Sequence, residues 1–195
     1  MARTTGSRAT ITGPLIRDKA RRLFARQGYA AVSMRQIAAA VGVQAGTLYS
    51  YTPDKQALLA DLLESHMQDL LAAWSDDAEA DPLARLERFV RFHIAFSLDH
   101  SDAVFLSYME LRNLTPENFA RIADLRGRYE AALEAILREG VAAGRMRIED
   151  PKLTTLALIA MLTGVTNWYR EGGRLDRARI AQIYWGLAQG AVGAA

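Results

Sequence analysis

The chain has 195 residues, half of them hydrophobic, with 24 Lys/Arg against 22 Asp/Glu and no cysteine. That length buries one substantial core, or carries a small module fused to a larger one. The lack of cysteine excludes disulfides and thiolate chemistry and fits a reducing cytoplasm, and no apolar run reaches the ~18 residues of a membrane span.

The formal charge of +2 hides a division along the chain. Residues 1–60 hold nine Lys/Arg and two Asp/Glu, a balance of +7, whereas the remainder balances to −5. A basic module on an acidic body suits a partner rich in phosphates. The N-terminal run MARTTGSRATITG is polar and lacks an apolar h-region, so it reads as neither a signal peptide nor an anchor but as a disordered basic arm over residues 1–12.

Five prolines, Pro14, Pro53, Pro82, Pro116 and Pro151, all sit where a helix could begin. Between them the apolar spacing is helical throughout, and no stretch alternates like a strand. The first predicted helix runs from about Pro14 to Gln27, with Ile16, Ala20, Leu23 and Phe24 on one face. Arg17, Lys19, Arg21, Arg22 and Arg26 cover the rest, and this helix is expected to brace the two short helices C-terminal to it and lend them positive charge.

Met34, Ile37, Ala38 and Val41 recur at i, i+3, i+4 and i+7 behind Ser33 as N-cap, which predicts a short amphipathic helix. Gly42 supplies a positive-φ turn, and a second short helix starts at Gln44. The pair is a helix-turn-helix. Its second helix buries little beyond Leu48 and carries no acidic residue. Gln44, Thr47 and Ser50 can hydrogen-bond to base edges or phosphates, Gly46 allows close backbone approach, and Tyr49 and Tyr51 offer phenolic donors.

The run SMRQIAAAVGVQAGTLYSYTPDKQALL resembles the DNA-binding region of the TetR family of bacterial transcriptional regulators. Ile37, Ala38, Gly42, Val43, Gly46, Leu48, Tyr49 and Lys55 all fall in register; the family often has Phe where this chain has Thr52. The resemblance implies an all-α fold, with a three-helix DNA-binding domain over 13–52 and a helical effector-binding and dimerisation domain over 53–195, about nine helices in all. It also implies a cytoplasmic repressor that binds a palindromic operator as a homodimer. Ser33 and Arg35 are then expected on phosphate, Gln44, Ala45 and Thr47 on base edges, and Tyr49 and Lys55 on phosphate, with Gly46 and Ser50 completing the surface.

The helix predicted from Pro53 carries Leu58, Leu59, Leu62, Leu63, Met67, Leu70, Leu71 and Trp74 and enters the body without a flexible linker. Further helices are predicted from Pro82 to His100, from Asp102 to Asn113 with Ser101 as cap, and from Pro116 to about Ala143. The last two run from about Pro151 to Tyr169 and from about Asp176 to Ala191. Both are apolar over much of their girth. By resemblance they form a four-helix homodimer interface using Leu156, Ile159, Tyr169, Ile180, Ile183, Tyr184 and Leu187.

Three histidines lack the i, i+3 or i+4 spacing of helical metal ligands, so no metal is expected. His93 interrupts an apolar stripe and reads either as a hydrogen-bonded core histidine or as a polar anchor in a ligand pocket. No nucleophile elbow, phosphate-binding loop or dinucleotide fingerprint is present, so neither an enzyme nor a cofactor is expected. Phe89, Phe92, His93, Phe96 and Met109, with Tyr129, Leu133, Met161 and Trp168, are candidates for an apolar effector pocket. The segment from Trp168 to Leu175, WYREGGRL, is similar to a run in a TetR branch that includes acyl-CoA-responsive regulators, where Arg170 and Arg174 would meet the phosphates. The other reading is a helical adaptor whose helix-turn-helix packs on protein, against which the +7 charge argues.

Overall fold

The computed structural model describes residues 5–194, with side chains from residue 12 onward. Among these residues there are ten α-helices, one 3-10 turn and no strand: α1 (Thr5–Gln27), α2 (Met34–Val41), α3 (Ala45–Tyr49), α4 (Lys55–Ala73), α5 (Pro82–Asp99), α6 (Ser101–Met109), the 3-10 turn Leu111–Asn113, α7 (Pro116–Ala142), α8 (Pro151–Thr163), α9 (Val165–Trp168) and α10 (Arg177–Ala191). Only Gly164 separates α8 from α9, so the long helix predicted from Pro151 is the two together. Gly164 stays right-handed, with φ −54° and ψ −20°.

The caps are local. Asp81, Asp150 and Asp176 accept from the backbone N–H of Leu83, Leu153 and Arg179 at 2.9, 3.0 and 2.7 Å. Pro82, Pro116 and Pro151 open helices. Pro14 and Pro53 do not. Pro14 lies inside α1, which already begins at Thr5, so residues 5–12 of the expected arm are helical and residues 1–4 lie outside the described residues. Pro53 precedes α4, whose cap is Asp54, accepting from Ala57 N–H at 2.7 Å. The helix expected from Asp102 to Asn113 already includes Ser101 and breaks at Glu110 into α6 and the 3-10 turn.

The chain forms two compact units, Met1–Met67 with Asp102–Ala123, and Gln68–Ser101 with Asp124–Ala195. Helices α4 and α7 contribute to both. In the first unit Ile16, Ala20, Phe24, Ile37, Leu48, Leu59 and Ile122 are almost fully buried. In the second, α5 packs on α8, α9 and α10, and Leu86, Phe89, Val90, Leu133, Ile136, Leu162 and Ile180 are buried.

Candidate nucleic-acid interface

Helix α2 is held at both ends by its own sequence. Ser33 and Gln36 form a capping box: Gln36 N–H donates to Ser33 Oγ at 3.3 Å, and Ser33 N–H to Gln36 Oε1 at 2.7 Å. At the other end Gly42, with φ +80° and ψ 31°, donates to Ala38 and Ala39 carbonyls, and Val43 N–H reaches Ala38 O at 3.0 Å. Met34, Ile37 and Ala38 are buried while Val41 is half-buried. Thr52, where the resemblance led one to expect Phe, is 7% exposed. Its hydroxyl donates to Asp54 O at 3.1 Å, closing the turn by a hydrogen bond instead of by a ring.

Helix α3 spans five residues and buries only Leu48. Gln44, Gly46, Thr47, Tyr49 and Ser50 are exposed and Ala45 is half-buried. Gln44 makes no capping bond with its side chain. The Ser50 hydroxyl donates to Thr47 O at 2.6 Å, so its proton is engaged locally while its lone pairs stay accessible. Residues 19–53 contain five Lys/Arg and no Asp or Glu.

The cations of α1 and α2 whose side chains are described divide into two sets. Arg17 bonds both oxygens of Asp61 on α4, at 2.6 and 2.9 Å, and Arg21 and Arg22 pair with Asp18. Arg21 also reaches Asp102 at 3.3 Å. Arg17 and Arg21 thus tie α1 to other elements of the unit, while Arg22 pairs within α1. Among the described residues Lys19, Arg26 and Arg35 make no ion pair within the chain, and Arg35 is exposed beside Ser33. Lys55 departs most from the expectation of a phosphate contact. Its Nζ donates inward to Tyr29 O and Val32 O, both at 2.9 Å, and lies 4.2 Å from the centroid of the Tyr29 ring.

In the second unit the structure brings several of the expected pocket residues together. Phe89 lies 5.2 Å from Tyr129 and 5.9 Å from His93, ring to ring, and Phe92 lies 5.7 Å from Phe96. His93 is 4% exposed. It shares hydrogen bonds with Tyr129 Oη at 3.0 Å and Thr163 Oγ1 at 2.9 Å, the arrangement of a satisfied core histidine. Leu133 is buried and Met161 half-buried. Trp168 is 49% exposed, with its ring against Tyr184 at 6.4 Å. Met109 belongs to the first unit and is likewise exposed.

Sequence reasoning did not single out Trp74 as a site residue. Its ring lies 5.0 Å from Phe89 and 5.3 Å from Phe92, and its indole N–H is buried without an acceptor among the described residues. A tryptophan at the end of an apolar stripe gives no sign of which way its N–H points.

On α8 to α10, Leu156, Ile183 and Leu187 are 42, 38 and 52% exposed, and Leu153 63%. Ile159, Tyr169 and Tyr184 are half-buried. Ile180 is 1% exposed and belongs to the unit's own core, so it adds nothing to this face. Arg170 and Arg174 are exposed; Arg170 donates to Tyr169 O at 2.7 Å. Among the described residues no group of His, Cys, Asp or Glu is placed to hold a metal ion, and no helix is long and apolar enough to cross a membrane.

Residues 16–62 match the family described as bacterial regulatory proteins, tetR family, and residues 79–192 match a tetracyclin repressor-like C-terminal domain. The chain belongs to the TetR family. It is accordingly a DNA-binding transcriptional regulator and not an enzyme. It is 27% identical to the HTH-type transcriptional repressor KstR2 of Mycobacterium tuberculosis, over 98% of each chain. A tetR-family regulatory protein from Rhodococcus RHA1 superposes with a TM-score of 0.90 at 30% identity, covering 94% of this chain and 98% of that one. AibR, solved in complex with isovaleryl coenzyme A and operator DNA, gives a TM-score of 0.83 at 27% identity, over 90% of this TetR-family chain and 97% of its own.

Proposed function

We propose that this TetR-family chain is a cytoplasmic repressor that binds a palindromic operator as a homodimer and is released by a small apolar or amphipathic effector. The observation that carries the DNA-reading part is the face of α3. Gln44, Gly46, Thr47, Tyr49 and Ser50 stand exposed on a helix that buries Leu48 alone, within a stretch free of acidic residues. A Cβ on Gly46 would meet nothing within 4 Å, so neither packing nor backbone of this chain requires glycine there. Close approach of a partner gives a reason for it. In this reading Arg35 and Tyr49 hold register on phosphates, joined by Ser33, while Gln44, Ala45 and Thr47 read bases.

The dimer is supported by the exposed leucines and isoleucine of α8 and α10, which water alone would leave costly. A two-fold pair would present two α3 helices about 34–36 Å apart, one DNA turn. The effector is supported by the aromatic cluster around Phe89 and by the indole N–H of Trp74, without an acceptor among the described residues and a donor suited to a ligand carbonyl. AibR's complex with isovaleryl coenzyme A, together with the exposed Arg170 and Arg174, favours an acyl-CoA. Bound in the second unit, such a ligand needs only to prefer the conformation in which the two α3 helices no longer match the groove, with α4 common to both units.

The test is selection of bound duplexes from a random pool by the purified protein at low and moderate salt. An enriched palindrome supports operator reading by a dimer and provides the probe for acyl-CoA titrations. Weak binding without enrichment would count against it. If long-chain and aromatic acyl-CoAs neither raise Tm nor release DNA, that effector class is dropped.

A further inference from the structure

The turn between α1 and α2 is held by groups that arrive from two places. Tyr29 N–H donates to Glu110 Oε1 at 3.0 Å, and Tyr29 O accepts from Lys55 Nζ at 2.9 Å. Lys55 also donates to Val32 O, immediately before the cap residue Ser33. The second oxygen of Glu110 accepts from Asn113 Nδ2 at 2.5 Å, and Asn113 O accepts from Gln56 Nε2 at 2.6 Å. Gln56 is the neighbour of Lys55 in the chain, so the circuit closes. All of it lies in the first compact unit, which takes in residues 102–123 along with the helix-turn-helix. Glu110 is 6% exposed. A carboxylate that deep survives only with its donors in place.

We propose that Lys55 and Glu110 are positioning residues for DNA reading: they clamp the turn 29–32 and thereby set the orientation of α2 and α3, with Lys55 acting inward and not as a phosphate ligand. The inference rests on the DNA-reading role proposed for those helices. Two of the three donors of the ammonium are committed to carbonyls and its charge lies over the Tyr29 ring. Reaching out to a phosphate would surrender both. Glu110 stands where α6 gives way to the 3-10 turn, so a rearrangement of that junction reaches the turn before Ser33 without touching any base-facing residue. This gives the helix-turn-helix a second point of control besides α4.

The experiment uses the full chain and the variants Lys55→Met, Glu110→Ala, their combination, Glu110→Gln, which keeps an acceptor for Tyr29 N–H, and Asn113→Ala as a milder cut in the circuit. Three readouts are taken: backbone amide exchange at residues 29–33, binding to a random-sequence duplex over a salt series, and affinity for the duplex that the parent selects from a random pool. Lys55→Met and Glu110→Ala are each expected to speed exchange at 29–33 by about tenfold or more, and the pair by less than the product of the two. Glu110→Gln should stay close to the parent and Asn113→Ala fall between. The salt slope for Lys55→Met should be unchanged, while affinity for the duplex selected by the parent falls about tenfold. A slope smaller by about 1 with exchange at 29–33 unaltered would make Lys55 a phosphate ligand and overturn the clamp. So would unaltered exchange in both Asn113→Ala and any folded Glu110→Ala. If the parent binds no duplex at all, the DNA-reading proposal fails, and the exchange data alone still decide whether the clamp exists.

Discussion

At Gly42 the backbone, not packing, selects the residue. Its φ is +80°, and an added Cβ would meet nothing within 4 Å. Alanine there should therefore cost only the left-handed strain, about 1–2 kcal/mol, or a Tm lower by roughly 2–8 °C in thermal unfolding followed by circular dichroism. Arg85 poses the opposite case, since its environment comes from elsewhere in the chain. At 3% exposure it bonds both oxygens of Asp76, at 3.0 and 2.6 Å, and also Glu139. Hydrogen bonds from Arg85 hold the Asp76 carboxyl below the usual carboxylate range, against the burial that would raise it. A depressed folded pKa means that this stabilisation is fully present above the unfolded value, about 3.9, and is lost as pH falls through the folded one. Arg85→Met should lower stability by about 1–3 kcal/mol at neutral pH, a figure discounted for the exposure of the two acids. Below about pH 4 the gap in Tm between parent and variant should narrow. For DNA reading, Gln44→Ala and Thr47→Ala should each relax preference at particular base pairs, with about 1–3 kcal/mol of discrimination lost per bidentate contact. Repeating the duplex selection with each variant checks this, and unchanged preference would move base reading elsewhere on α3.

Among the elements, α10 shows how far a helix can be read from its own sequence. Asp176 caps it, and Ile180 and Ala188 are buried while Ile183 and Leu187 stay open. Apolar residues ring the helix, so spacing alone does not sort Ile180 from Ile183; only the neighbours α5 and α8 do. Leu187→Glu leaves the buried set intact and should retain helicity. In the proposed dimer it places a charge in a dry interface, weakening association by about 3 kcal/mol or more, over a hundredfold in Kd. Sedimentation at micromolar concentration reads the result; a parent that is already monomeric there removes the dimer proposal. The break between α6 and the 3-10 turn was not legible in the same way. The apolar pattern runs through Glu110, and the group that claims its carboxylate, Tyr29 N–H, lies 81 positions away.

For the whole molecule the segregation of charge was legible in the residues themselves, but its use was not. Of the cations in α1, Arg17, Arg21 and Arg22 are engaged with Asp61, Asp18 and Asp102. Among the cations of residues 12–53, whose side chains are described, Lys19, Arg26 and Arg35 are left outside ion pairs, within a stretch free of acidic groups. Arg35→Ala should therefore flatten the salt dependence of duplex binding by about one unit of slope, whereas Arg17→Ala should leave the slope and lower stability slightly, by about 1 kcal/mol or less for an exposed pair, read as a small drop in Tm. The sequence by itself determined the all-helical class and the turn at Gly42, because caps, 3.6-residue periodicity and a positive-φ glycine act over a few neighbouring residues, and the run from Ser33 to Leu59 carried the resemblance to the family. Tertiary structure alone decided that Arg17 and Arg21 are claimed by Asp61 and Asp102, that Lys55 turns inward, that Ile180 is core and that His93 is satisfied. Each of these depends on a partner distant along the chain, where local spacing carries no information.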